Sequence, residues 1–143
     1  MSVTHEPAPR PPGHAMARGA RGRCPQCGTG QLFRAYLKVV DDCGVCGEAY
    51  HHQRADDAPP YMVIVVVGHI VVPLLVLLEE AMRPPIWLHL AIFLPLTLLL
   101  SLALLPPIKG ALVALQWALR MHGFDPLSPE HEPLPPAARP KIR

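Results

Sequence analysis

The sequence predicts a membrane protein with a small N-terminal zinc ribbon of β type, a two-helix transmembrane hairpin and a short interfacial helix. Three observations lead there. All four cysteines stand in two Cys-x-x-Cys-Gly pairs within residues 24–47. Two long apolar runs follow, and between positions 59 and 107 the only formal charges are Glu79, Glu80 and Arg83. The rest of the 143 residues is polar, basic and rich in proline. A soluble domain spreads its apolar residues periodically, whereas this chain concentrates them, as membrane segments require.

The cysteine module occupies residues 24–50. Two residues separate Cys24 from Cys27 and Cys43 from Cys46, and fifteen lie between the pairs. Two-residue spacing lets one turn bring two thiolates to about 2.3 Å from a tetrahedral ion. The intervening "LFRAYLKVV" has the β-branched and aromatic content of a strand. Gly28 and Gly47, one after each pair, allow a tight turn that aims amide N–H groups at the sulfurs and supports the metal from behind its ligands. The pattern points to one structural Zn2+ held by Cys24, Cys27, Cys43 and Cys46. Four cysteines close the tetrahedron and leave no position for a catalytic water. Two disulfides, a thiol redox pair and iron are the alternatives that four cysteines also allow. His51 and His52 read as solvated linker residues.

The N-terminal residues 1–23 read as a disordered basic, proline-rich tail, with Arg18, Arg21 and Arg23 among small residues. They lack the apolar core of a secretory signal. Residues 51–60 form a linker ending in two prolines, a helix-start signal. Residues 61–78 are 18 uncharged residues, about 27 Å as a helix, and residues 86–105 are 20, about 30 Å. These are the two predicted spans, joined by an external loop at 79–85. Residues 106–122 read as an interfacial helix, with Lys109, Gln116 and Arg120 on one face and Trp117 at headgroup level. Residues 123–143 read as a disordered tail.

Lysine and arginine counts set the orientation. Seven precede the first span, five follow the second and one, Arg83, lies between. The positive-inside rule then places both termini in the cytoplasm and the loop outside. A cytoplasmic module sits in a reducing compartment, which favours metal over disulfides.

Four further residues form a possible intramembrane polar site: His69, His89, Glu79 and Glu80. Ionisable residues in a membrane are functional candidates by default. His69 and His89 differ in depth by about 10 Å, which argues against their sharing one haem iron. The plainer expectation is a helix–helix hydrogen bond for His69, an interfacial place for His89 and a water-boundary role for the two glutamates. No nucleophile–base set, phosphate loop or carboxylate pair is legible, so the expectation is a non-enzymatic protein without a small-molecule substrate. Its expected partners are the lipid bilayer and other membrane proteins. A nucleic-acid binder using Arg18, Arg21, Arg23, Arg34 and Lys38 is the rival, weakened by Asp41, Asp42 and Glu48. Metal or haem delivery through His69 is a third.

"CPQCGTGQLFRAYLKVVDDCGVCG", "RADDAPPYMVIVVVGH" and "PPIWLHLAIFLPLTLLLSLALLPPIKGALVALQWA" occur in this order. Together they resemble the bacterial family called domain of unknown function 983, over residues 21–122. Ala58 stands where that pattern expects glycine. The resemblance implies a small protein of the bacterial inner membrane and carries over no catalytic residue. The resemblance also implies, by association with the cytochrome c oxidase subunit and assembly-factor genes that often neighbour alphaproteobacterial members, a role in respiratory oxidase biogenesis.

Overall fold

The computed structural model describes residues 9–55, 57–125 and 129. Three helices and one short 3-10 turn carry the fold: α1 (Pro12–Ala20), α2 (Ala58–Met82), α3 (Ile86–Ala118) and the turn His122–Phe124.

The hairpin follows from the two apolar runs. Pro59 and Pro60 open α2, where their missing N–H groups cost nothing. Arg83 closes it in the left-handed conformation (φ 45°), its N–H donating to the Glu79 carbonyl at 3.0 Å. Pro84 and Pro85 then force an extended step before α3. Pro59, Val63 and Val67, four residues apart, make the buried stripe of α2. Most of the rest of α2 faces outward, whereas α3 buries Phe93 within its apolar run and Gly110, Val113, Ala114, Trp117 and Ala118 beyond it. In the most apolar 18-residue stretch of each helix, 11% of α2 and 6% of α3 is buried. The core helix of a soluble protein would be mostly buried. Both helices are long and apolar enough to cross a membrane, and Leu77, Leu98 and Leu99 are exposed as lipid-facing side chains are.

Three expectations need correction. The ribbon expected as β structure contains no strand among the described residues. It is held by three isolated antiparallel bridges, Arg23 with Gln31, Phe33 with Val39 and Asp42 with Ala49, because each leg is only a few residues long before a turn interrupts it. The N-terminal segment read as a disordered tail contains α1. That helix needs little apolar surface because it packs through small residues: Ala15 and Gly19 are its buried positions, and a Cβ on Gly19 would collide with the Gly110 carbonyl and with Ala114. Finally, no separate interfacial helix stands among the described residues. α3 runs unbroken through Pro106 and Pro107 to Ala118, so residues 106–118 extend the second span into the module. Trp117 is buried there, 5% exposed, rather than set in a headgroup layer. The expected tails at 1–8 and 126–143 lie outside the described residues apart from Pro129.

The core sits where these parts meet. Ala15 from α1, Cys24, Leu32, Cys43 and Tyr50 from the cysteine module, Ala55 from the linker, Val113, Ala114, Trp117 and Ala118 from α3 and Phe124 from the 3-10 turn form one buried cluster. The start of α2 and the end of α3 meet at this module, the Arg54 backbone N–H donating to Oε1 of Gln116 at 3.1 Å. The module therefore caps one end of the hairpin.

Candidate metal centre

The two cysteine pairs fold into matching turns. In the first, the Gly28 N–H donates to the Cys24 carbonyl at 2.9 Å; in the second, Gly47 N–H donates to the Cys43 carbonyl at 2.8 Å. Both glycines have φ near +74°, a conformation in which any Cβ is strained. Their own amides thus close the turns. Among the amides that reach sulfur are those of Cys27, donating to Sγ of Cys24, and Gly30, donating to Sγ of Cys27, both at 3.4 Å.

The turns bring the four sulfurs within 4.8 Å of one another. Cys24 and Cys46 are 3.6 Å apart and Cys27 and Cys43 3.9 Å. All four are free cysteines, and these separations are far beyond the about 2.05 Å of a disulfide. Sulfurs at about 2.3 Å from a tetrahedral ion are about 3.8 Å from each other, so the spacing fits one metal ion. Gly30 completes the cradle. A Cβ there would collide with Sγ of Cys43, while its carbonyl accepts the Cys24 N–H at 2.8 Å. Sequence reasoning missed Gly30. Its position three residues after Cys27, in a Gly-Thr-Gly run, is the only signal it offers.

The sulfurs are not equivalent. Cys24 is fully buried and receives the Tyr50 hydroxyl at 2.8 Å. Burial pushes its thiol pKa up, and the Tyr50 hydrogen bond opposes that shift. Cys46 is exposed as a residue, yet partial desolvation of its sulfur beside the other cysteines pushes its pKa up. Cys27 is held down at about 5, first by the Thr29 hydroxyl at 3.4 Å and then by the Gly30 amide. Tyr50 itself is buried, which raises its pKa well above the ordinary phenol value and keeps it a donor.

A polar clasp ties the second turn to α3. Nε1 of Trp117 donates to Oε1 of Glu48 at 2.7 Å, and the Arg10 guanidinium lies 4.3 Å over the Trp117 ring. Arg10 also donates to the Trp117 carbonyl at 3.0 Å and stands 3.8 Å from the Glu48 carboxylate. Arg10, Glu48 and Trp117 were not legible as a set, since they are far apart in the chain.

The other predicted site residues stay apart from the sulfurs. His52 is buried and meets Phe124 edge-on at 6.0 Å, so it is not a solvated linker residue. Neither His51 nor His52 belongs to the sulfur cluster. Among the described residues His69 makes no helix–helix hydrogen bond. Its Nδ1 lies 2.7 Å from the Val65 carbonyl of its own helix, on the exposed face with Gly68 and Pro73. His89 comes within 3.4 Å of the Glu79 carboxylate at the far end of the hairpin and stacks on Phe93. Glu80 is exposed at the same end. These four residues are not gathered into one site.

Residues 33–117 match the family described as protein of unknown function (DUF983). The chain belongs to this family. The match starts at Phe33, so the first pair, Cys24 and Cys27, lies ahead of it, whereas the second pair, both spans and the α3 extension through Trp117 lie within it. No curated protein and no solved structure matches the chain.

Proposed function

We propose that this DUF983 member is a non-catalytic membrane scaffold: a minimal zinc ribbon, cytoplasmic and metal-folded, fixed to a hairpin that spans the bacterial inner membrane. The observation that carries the reading is the four-sulfur cluster packed against the end of α3. Bound zinc supplies folding free energy, about 10–16 kcal/mol in small zinc peptides, to a module whose own core is a few side chains. The four cysteines fill a tetrahedron and leave no open position, which suits a structural rather than a hydrolytic metal. Fixing the module to α3 gives partners a rigid surface at the membrane. By the family resemblance, those partners are respiratory oxidase subunits or their assembly factors.

The test is crosslinking mass spectrometry on the full chain purified from its native membrane in mild detergent, with metal content measured on the same sample. One zinc per chain and crosslinks from the module to oxidase components are expected. Zinc without those components would discard the oxidase assignment and leave the scaffold. A metal-free folded chain would overturn the zinc reading. Nucleic acid retained at low salt and lost steeply as salt rises would replace the scaffold with the nucleic-acid reading.

A further inference from the structure

A proline inside a helix removes the N–H that would reach the carbonyl four residues earlier. Pro106 therefore leaves the Leu102 carbonyl without a helical partner. In hydrocarbon such a group costs several kcal/mol unless something satisfies it. Here the Tyr36 hydroxyl donates to it. Tyr36 stands at the tip of a tight turn. The Arg34 N–H donates to the Lys38 carbonyl at 2.9 Å and the Lys38 N–H to Ala35 at 3.3 Å, beside the Phe33–Val39 bridge. The turn lies along α3, with the Phe33 ring close to Gly110 and Tyr36 at Leu102. Those contacts are eight residues apart, so the turn descends about 12 Å along the helix towards the span.

We infer that the tip of residues 34–38 seats in the headgroup layer and binds anionic phospholipid through Arg34 and Lys38. Leu102 lies three residues inside the apolar run that ends at 105, so the Tyr36 hydroxyl reaches about 4.5 Å past its edge. Tyr36 is 51% exposed, as is usual for a ring in the aromatic belt. Tyr61, 69% exposed, starts the apolar run of α2 at the same end of the hairpin. Arg34 and Lys38 flank the tip, both exposed, and neither has an ion-pair partner among the described residues. Their apolar stems suit the hydrocarbon edge and their charges the phosphate layer just outside it. Asp41 and Asp42 belong to the second cysteine turn, not to the tip. The inference rests on the hairpin spanning a bilayer.

The experiment uses the full chain in phosphatidylcholine nanodiscs, with and without phosphatidylglycerol. A benzophenone amino acid replaces Leu37, Val72 or Val45 in separate variants. Lipid adducts are expected from positions 37 and 72 and none from 45, which sits at the exposed second cysteine turn. Native mass spectrometry then compares retained phosphatidylglycerol in R34A/K38A, expected to fall about 25-fold, roughly fivefold for each basic residue. The charge-keeping swap R34K/K38R should retain it. Lipid adducts at 72 without any at 37, or unchanged retention in R34A/K38A, would overturn the tip assignment while leaving the membrane reading intact. No lipid adduct at 72 would overturn both.

Discussion

The hairpin and the cysteine module treat their backbone and side chains in opposite ways. The hairpin satisfies most of its backbone within two helices of 25 and 33 residues, the Leu102 carbonyl excepted, and turns most side chains of its two apolar runs outward. The module has neither helix nor strand between residues 23 and 50, and its bonds run turn by turn. Its apolar residues point inward, but those fully buried are few: Leu32, Tyr50 and the sulfurs of Cys24 and Cys43. A helix in lipid holds together by its own hydrogen bonds. A segment of this size with so small a core needs a metal or a neighbouring surface. This module has the neighbouring surface in the α3 extension, and on its other side four sulfurs spaced to hold a metal ion.

The largest separation between the halves should follow from removing a thiolate. C43S should abolish zinc binding and unfold the module, freeing the backbone at Arg23, Arg34 and Lys38 to enter the trypsin active site. The stretch 58–105 should stay protected in detergent. Trypsin fragments and zinc content on the same preparation provide the check. A module that stays protected without zinc would mean that α3 alone folds it.

The next test sharpens the role of the cradle. G30A places a Cβ against the Cys43 sulfur and should lower zinc affinity about 10–100-fold, the range for groups that support metal ligands. G44A is the matched control, since a Cβ there meets nothing within 4 Å. Competition with a chromogenic chelator measures both. Equal affinities in the two variants would mean that the cluster opens at no cost.

The seam between the halves is next. A Cβ on Gly110 would collide with the Gly19 carbonyl. G110A should destabilise the α1–α3 contact by about 3 kcal/mol, the top of the overpacking range, because backbone stands in the way. G68A, in open space on the hairpin, should be neutral or stabilise by up to about 1 kcal/mol through helix propensity. Opposite signs in thermal unfolding would confirm that the two regions tolerate side chains differently. On the clasp, W117F removes the donor to Glu48 and should cost about 1.5 kcal/mol, the low end for a hydrogen bond to a charged group. Its signature is earlier release of residues 9–20 to protease, with zinc content unchanged.

The same contrast explains what could be read in the chain. The sulfur site was legible because metal geometry imposes a local spacing, two residues inside each pair. The spans were legible because a bilayer imposes a length on uninterrupted apolar runs. α1 was not, because it packs by backbone approach at Gly19 and leaves no hydrophobic periodicity. The continuity of α3 was not, because Pro106 and Pro107 carry a local breaking signal. The side chain that takes up the carbonyl freed by Pro106 comes from Tyr36, 66 residues away. Gly30, Glu48 and Arg10 have meaning only once distant segments meet. The partner of His69 was misjudged, since it turns to a carbonyl of its own helix. The approach of His89 to Glu79 is made across the turn at Arg83 and has no signal in the sequence.

The smallest predicted effect lies inside the sulfur cluster and concerns acid. A ligand must be a thiolate to hold metal, so zinc binding competes with protons. The pKa of Cys27 is depressed to about 5, first by the Thr29 hydroxyl. A depressed pKa gives a contribution that is present above the ordinary thiol value near 8.5 and lost as pH falls through about 5. Whatever holds the Cys27 thiolate should therefore oppose acid release of zinc, and weakening that hold should make release easier. T29V removes the hydroxyl, raises the Cys27 pKa and should move the release midpoint upward by up to about one pH unit. T29S keeps a hydroxyl and should restore the original midpoint. Release is followed by a chromogenic chelator across an acid titration of the folded, zinc-loaded chain. A downward shift in T29V, or equal shifts in T29V and T29S, would show that backbone amides alone hold the Cys27 charge. The difference between the halves would then rest on main-chain geometry in the module as it does in the hairpin.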